Sequence, residues 1–333
     1  MPHAIRIHEN GGPEVMRFEA VDVPPPGAGE VRLKHTAIGI NFSDINVRRG
    51  GFYFGDGPRF PLGLGNEAAG IVEALGSGVE GFAPGERVAY AGMRGEFFQD
   101  TGAYCEVRNV PAERLLKIPA VVSDQQAAGM LVKGFTASLI INRLFKPKPG
   151  DVVLIHGIAG GVGLALCEWS KHLGATVIGT VGSPEKAAFV KAHGCDHTIL
   201  YRETDFVAAV RALVPEGASA VFDGVGKDTF HASLDCVRRF AMLVNYGNAS
   251  GHPPPLDLLL LAKKGSLSVA RPALSSITAD VPAMRAAAAE LFDLAARGVL
   301  RFPVSRSYAL KDAAQSHRDI EARQSAGSMV LVP

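Results

Sequence analysis

The sequence has little charge imbalance, few cysteines and no long apolar run. Lys and Arg total 34 against 33 Asp and Glu, a formal net charge of +1 over 333 residues. Nucleic acid and anionic membranes reward a basic surface, so neither is favoured as the main partner. No basic patch interleaved with aromatics stands out either. The four cysteines, Cys105, Cys167, Cys195 and Cys236, are far apart. No pair has the close spacing of a zinc knuckle or a redox dithiol. They read as free, buried thiols of a reducing compartment. The longest apolar stretch, around residues 258–262, falls far short of the ~20 residues that cross a bilayer. Charges appear at once after Met1 and no apolar segment follows, so no secretory signal is visible. A cytoplasmic protein without a membrane partner is expected.

What is present points to a folded enzyme. Hydrophobic residues make up 47% and charged residues 20%, a balance that builds a core rather than a disordered chain. The length predicts roughly two domains. The 38 glycines and 21 prolines are dispersed, which suits many tight turns. Short strand-like runs fill the first ~125 residues, at 30–40, 70–79 and 87–90, punctuated by Gly76, Gly78, Gly81, Pro84 and Gly85. Residues 124–142 turn helical, with Ala127, Met130, Leu131 and Leu139 on an apolar stripe.

From Pro149 the rhythm changes. Residues 151–156 are a short apolar run of the buried parallel-strand kind. After a glycine cluster, Val162, Leu166, Trp169 and Leu173 recur at helical spacing and Gly174 ends the helix. Strands at 175–180, 198–201, 220–223 and 241–245 alternate with helices, one of them at 184–193. The alternation predicts an α/β fold with a doubly wound parallel sheet. Past Arg271 and Pro272 the pattern shifts again, to an amphipathic helix at 282–297 and a short tail that packs back on the first domain. No internal repeat stands out.

The sharpest motif is residues 157–163, Gly-Ile-Ala-Gly-Gly-Val-Gly, between a predicted strand and a predicted helix. Glycine there permits a tight turn and close approach of a pyrophosphate, while the helix start offers unpaired N–H groups and a positive dipole. The strand–loop–helix setting makes this a dinucleotide site rather than a merely structural turn. An NAD site places Asp or Glu about 20 residues on, at the ribose hydroxyls. Here the second strand ends Thr180-Val181-Gly182-Ser183, with no carboxylate and with Lys186 one turn into the next helix. A hydroxyl, a cation and a helix start suit a 2′-phosphate, so NADPH is favoured over NADH.

Across essentially its whole length the chain resembles the zinc-independent quinone oxidoreductases, the zeta-crystallin-like branch of the medium-chain dehydrogenase/reductase superfamily. The resemblance rests on residues 39–44 (Gly-Ile-Asn-Phe-Ser-Asp), 63–70 (Gly-Leu-Gly-Asn-Glu-Ala-Ala-Gly), 133–136 (Lys-Gly-Phe-Thr), 156–163 and 180–182 with Lys186 and Ala187. It continues through 233–236, 247–251, 264–267 with Arg271 and Pro272, and Gly327 and Ser328. It implies a GroES-like, mostly-β catalytic domain (1–125, completed by 272–333) and a Rossmann NADPH-binding domain (126–271), in a homodimer joined through an edge strand at 264–273.

Residue roles follow from the same resemblance. Asn41 and Asp44 would lie in the nicotinamide and substrate cleft, with Lys133 and Thr136 at the nicotinamide side. Gly160, Gly161 and Val162 would line the pyrophosphate, beside Thr180, and Ser183 and Lys186 would hold the 2′-phosphate. Tyr201 would reach the adenosine, Tyr246, Gly247 and Asn248 the nicotinamide ribose, Val269 and Arg271 the carboxamide, and Arg323 the phosphates. Plain alternatives stand beside these: Arg271 and Arg323 as surface cations, Tyr201 as a strand-end residue, Asp223 as a helix cap, and Thr136 bonded to its own backbone.

Departures from the wider superfamily concern the metal. Asn41 and Asn66 stand where zinc-dependent relatives carry cysteine and histidine, and Glu67 alone remains. One carboxylate cannot hold tetrahedral zinc, so no metal is expected. His156 reads as a satisfied core histidine. Where relatives often carry tyrosines after Asp44, this chain has Asn46 and Phe52; Tyr53 is the neighbouring substitute, in a lengthened loop. Without a Lewis acid the substrate must accept electrons readily. Quinones do, and activated enones or alkenals come next, with Asn41 and Tyr53 as candidate hydrogen-bond donors. A nucleotide-binding sensor or RNA-binding protein is the non-enzymatic alternative.

Overall fold

The computed structural model describes residues 1–51, 59–92 and 100–333. It divides into two compact units. The first comprises Met1–Phe135, Leu274–Arg297 and Phe302–Pro333; the second comprises Thr136–Ala273 and Gly298–Arg301.

The first unit contains strands β1 (His3–Ile7), β2 (Arg17–Ala20), β3 (Glu30–Gly39), β4 (Leu62–Gly63), β5 (Glu67–Leu75), β6 (Arg87–Ala91), β7 (Val107–Pro111) and β8 (Leu116–Lys117). Helix α1 (Phe42–Arg48) follows β3, and α2 (Asp124–Leu139) follows β8. The second unit follows α2, with β9 (Val152–His156), α3 (Gly161–His172), β10 (Thr176–Val181), α4 (Pro184–Ala192), β11 (His197–Leu200) and α5 (Phe206–Leu213). Next come β12 (Ala218–Asp223), α6 (Phe230–Ser233), β13 (Val237–Asn245), α7 (Leu258–Lys263) and β14 (Ser268–Ala270). The chain then returns to the first unit through α8 (Ser275–Thr278), α9 (Val281–Ala296), β15 (Val304–Ala309), α10 (Ala313–Glu321) and β16 (Ser328–Val332).

In the first unit, β15-β16-β3-β5-β6-β8 form one sheet, with β7 also paired to β3. The tail is thus part of this sheet: Val330 and Leu331 of β16 pair antiparallel with Gly39 and Ile38. Alternation along β3 sends Val31 and Leu33 into a core with Val72, Val88, Tyr90, Tyr104 and Leu331, and a register shift between His35 and Ala37 turns Ile38 into the same core. The last residues of β3 are therefore held firmly, and they deliver Ile40 and Asn41 to the start of α1.

In the second unit six strands run in the order β11-β10-β9-β12-β13-β14. All the pairings are parallel. This is the doubly wound arrangement, in which the order reverses between β9 and β12 and ligands bind at the carboxyl ends of those strands. The middle strands are buried on both faces; Leu154, Ile178, Val221 and Leu243 lie in one core with Phe230 and Leu267. The predicted apolar runs become strands because helices cover both sides of the sheet.

Candidate active site

In the second unit, β9 ends in His156 and the chain turns through Gly157 into α3. Gly160 is the N-cap of that helix and supplies no side-chain cap, so the first-turn N–H groups of Gly161, Val162 and Gly163 have no intrahelical acceptor. Glycine is required at 163: an added Cβ would sit 2.6 Å from the Gly157 carbonyl and 2.7 Å from Ile158 Cα, both backbone atoms. His156 is the satisfied core histidine expected from sequence. It is fully buried, its Nδ1 is 3.0 Å from Thr180 Oγ1, and its Nε2 is 3.0 Å from Ser233 Oγ. Burial pushes it down to about 4, so it stays neutral. Ser233 donates its own proton to Thr229 O, so Nε2 donates to Ser233 and Nδ1 accepts from Thr180.

The next strand end carries the polar discriminator. Ser183 is the N-cap of α4, and its Oγ accepts from Lys186 N–H at 3.4 Å. The Ser183 hydroxyl also bonds the Glu185 carboxylate in the first turn, which holds that carboxyl below its usual range. Tyr201 Oη and Arg202 Nε lie 2.9 and 3.5 Å from the position a Cβ of Gly182 would occupy. Ser183, Tyr201 and Arg202 therefore cluster around one glycine. Arg202 is absent from the sequence-based set, although a cation directly after the third strand of such a sheet was the available signal.

At the ends of β12 and β13 the structure brings Tyr246, Gly247, Asn248 and Arg271 together. Arg271 donates to Asn245 Oδ1, to Gly247 O at 3.1 Å and to Asn248 Oδ1 at 2.7 Å. It acts as a clamp on that loop, not as a simple surface cation. Asp223 is also structural: its Oδ1 accepts from Val225 N–H, Gly226 N–H and Thr229 Oγ1 at 2.8, 3.1 and 2.8 Å. Val269 lies on β14 opposite Leu243. Thr136 stands on α2, and Arg323 follows α10 in the first unit with a φ of 56°.

The first unit holds a second polar cluster. Asn41 precedes α1, and its backbone N–H donates to Asp44 Oδ2 at 2.9 Å, the return bond of a capping box. Asp44 is fully buried and also accepts from Tyr104 Oη at 2.9 Å and Asn66 Nδ2 at 3.2 Å. Desolvation outweighs these bonds and pushes its carboxyl up to about 6. Tyr104 Oη is 3.2 Å from His317 Nε2 and Arg48 Nη1 is 3.1 Å from His317 Nδ1. Arginine only donates, so Nδ1 accepts and Nε2 donates to Tyr104, whose proton goes to Asp44. Arg48 in turn meets Glu321. This chain of bonds is invisible in the sequence because its members lie as much as 213 and 269 positions apart.

Beside it, Lys133 Nζ contacts Glu67 Oε1 at 3.0 Å, Asn41 Oδ1 at 2.9 Å and Ile40 O at 3.3 Å. Lys133, expected at the nicotinamide side, thus directs its N–H bonds to this cluster. Gly39 makes room for it, since a Cβ there would lie 2.1 Å from Ala128 O and 2.4 Å from Glu67 Oε1. Among the described residues, Asn66 Oδ1 is buried with no hydrogen-bond partner. Tyr53, and with it Phe52, lies outside the described residues.

These groups do not fit zinc. Two amides and one carboxylate are a poor tetrahedral set, and a cation at Glu67 would face the ammonium 3.0 Å from that carboxylate. Among the described residues, His, Cys, Asp and Glu form no group of three able to hold a metal.

The comparisons agree with this architecture. Residues 27–120 match the alcohol dehydrogenase GroES-like domain family, and residues 161–290 match the zinc-binding dehydrogenase family. The chain is 40% identical to a quinone oxidoreductase of Pseudomonas aeruginosa over the full length of both. It is 41% identical to a 2-haloacrylate reductase of a Burkholderia species, over all of this chain and 99% of the other. The crystal structure of Escherichia coli quinone oxidoreductase complexed with NADPH superposes with a TM-score of 0.93 at 39% identity, covering 99% of this chain and 100% of that one. A GroES-like unit, a doubly wound unit with a glycine loop, and identity of this order along the entire chain place the protein in the zeta-crystallin-like quinone oxidoreductase family of the medium-chain dehydrogenase/reductase superfamily.

Proposed function

We propose that this chain is an NADPH:quinone oxidoreductase that works without zinc. The observation that carries the coenzyme choice is the end of β10, where Ser183, Tyr201 and Arg202 gather at the start of the helix that carries Lys186, and where a 2′-phosphate would take the Ser183 hydroxyl from the Glu185 carboxylate. A 2′-phosphate supplies the charge that a cation and a helix start accept. The α3 N-terminus, with Gly160, Gly161 and Val162, holds the pyrophosphate, and Thr180 steadies the loop from behind through His156. Tyr246, Gly247 and Asn248, clamped by Arg271, hold the nicotinamide ribose. Val269 and Thr136 border the ring.

When bound, the dihydronicotinamide supplies the reducing equivalents. The chain supplies position, exclusion of water, and donors for the oxygen that gains charge. Asn41 is the donor, and Asp44, held by Tyr104 and Asn66, fixes the turn on which Asn41 sits. A quinone needs no Lewis acid because its reduction forms an aromatic ring.

A second reading, an alkene reductase acting on enones or alkenals, draws support from the Burkholderia relative, whose name specifies reduction of an activated double bond. Turnover of NADPH with a naphthoquinone, a 2-alkenal and a 2-haloacrylate, measured side by side by absorbance, separates the two. The quinone is expected to give the highest kcat/KM; a higher value for either alkene overturns the preference.

The assembly is read as a homodimer. β14 is an edge strand, an association-prone feature. Near it Phe240, Leu258 and Leu259 are 77%, 74% and 66% exposed. A cytoplasmic setting is supported by the four free cysteines, all buried. Among the described residues, no helix is long and apolar enough to cross a membrane.

A further inference from the structure

Lys133 is a charged residue in the apolar stretch of α2, and it is 6% exposed. An ammonium has three N–H bonds and no acceptor. Its three partners, Glu67 Oε1, Asn41 Oδ1 and Ile40 O, use all of them. Glu67 is fully buried, and its other oxygen accepts from Val132 N–H at 2.7 Å. Glu67 Oε1 also accepts from Asn41 Nδ2 at 2.8 Å. The Asn41 carboxamide is therefore held at both ends. Its oxygen must face the ammonium, which cannot accept, and its nitrogen must face the carboxylate, which cannot donate. A flipped amide would lose both bonds and set oxygen against oxygen. One Nδ2–H is used on Glu67, and among the described residues the second has no acceptor.

We infer that Lys133 is a positioning residue: a tethered cation that neutralises Glu67 in place of a metal and locks the Asn41 carboxamide, so that its second Nδ2–H is presented to the substrate oxygen that gains charge. Lys133 acts through Asn41, since its three N–H bonds are spent within the cluster. Its link to catalysis rests on the quinone-reductase reading; the locked amide does not.

Removing Lys133 alone leaves a buried carboxylate unpaired, which is strongly destabilising. The informative variant is therefore Lys133→Met combined with Glu67→Gln, which is neutral. It is compared with wild type, Asn41→Ala and the triple variant, with folding checked by circular dichroism. In the double variant, naphthoquinone kcat is expected to fall about 10- to 100-fold, within the range for loss of a preorganised donor, with the NADPH Kd within about twofold. In the Asn41→Ala background the same two changes are expected to alter kcat by less than about twofold. Losses that multiply in that background, an unchanged kcat, or an NADPH Kd that rises as kcat falls each overturn the role. A second readout needs no activity: the Asn41 side-chain NH2 resonances, assigned by their loss in Asn41→Ala, are expected to be protected from exchange in wild type and to move and lose protection in the double variant. If they are unchanged, the lock itself is refuted. If they respond while the wild-type chain reduces no quinone, the lock stands and the quinone reading fails.

Discussion

Asp44, His317 and His35 carry opposite linkages within the first unit. Asp44 holds its proton up to about pH 6 in the folded protein, against 3.8 when free. The folded state therefore binds the extra proton between those values, and Asp44 adds stability as pH falls. Its shift corresponds to roughly 3 kcal/mol at ~1.4 kcal/mol per unit. His317 and His35 are pushed down from 6.5 to about 3 and about 4 by burial. The unfolded chain takes up their protons first, so they lose stability as pH falls below 6.5. Two such groups outweigh one, and the free energy of urea unfolding is expected to fall between pH 6.5 and 4. In Asp44→Asn the opposing contribution is gone and the fall is expected to be steeper; a shallower slope would count against this balance.

At the scale of elements, local signals were the legible ones. The glycine loop, the apolar strands and the Ser183 cap lie within a few residues of one another, so pattern and position reveal them together. Lys133 stands as a charge in an apolar helix, but its partner Glu67 is 66 positions away, and only α2 packed against the start of β5 brings them together. Tyr104 and His317 gave no local sign at all. The junction of β10 and α4 carries its own prediction. Ser183 and Lys186 share one helix start, so Lys186→Ala is expected to weaken NADPH by ~1.5–3 kcal/mol, the worth of a charged hydrogen bond. NADH affinity is expected to stay nearly unchanged. Titration calorimetry with both coenzymes checks this, and equal losses would reject the assignment of the 2′-phosphate.

For the molecule as a whole, the two-part architecture and the return of the tail to the first unit follow from changes of rhythm along the sequence, since strand and helix periods differ. The partners of a second copy leave only a weaker trace: an edge strand with exposed apolar neighbours. Phe240→Glu with Leu258→Glu is expected to convert a dimer to a monomer in sedimentation velocity; a monomeric wild type, or a variant that remains dimeric, rejects that surface. In the proposed reaction, reduced coenzyme passes its electrons to a quinone without a metal, Lys133 taking the place of a cation beside Glu67. The most direct measurement is the steady-state rate of NADPH oxidation by a naphthoquinone before and after exhaustive chelation, with residual metal quantified. The same rate is expected in both preparations; a rate lost on chelation and restored by zinc, or no quinone turnover at all, would refute metal-free quinone reduction.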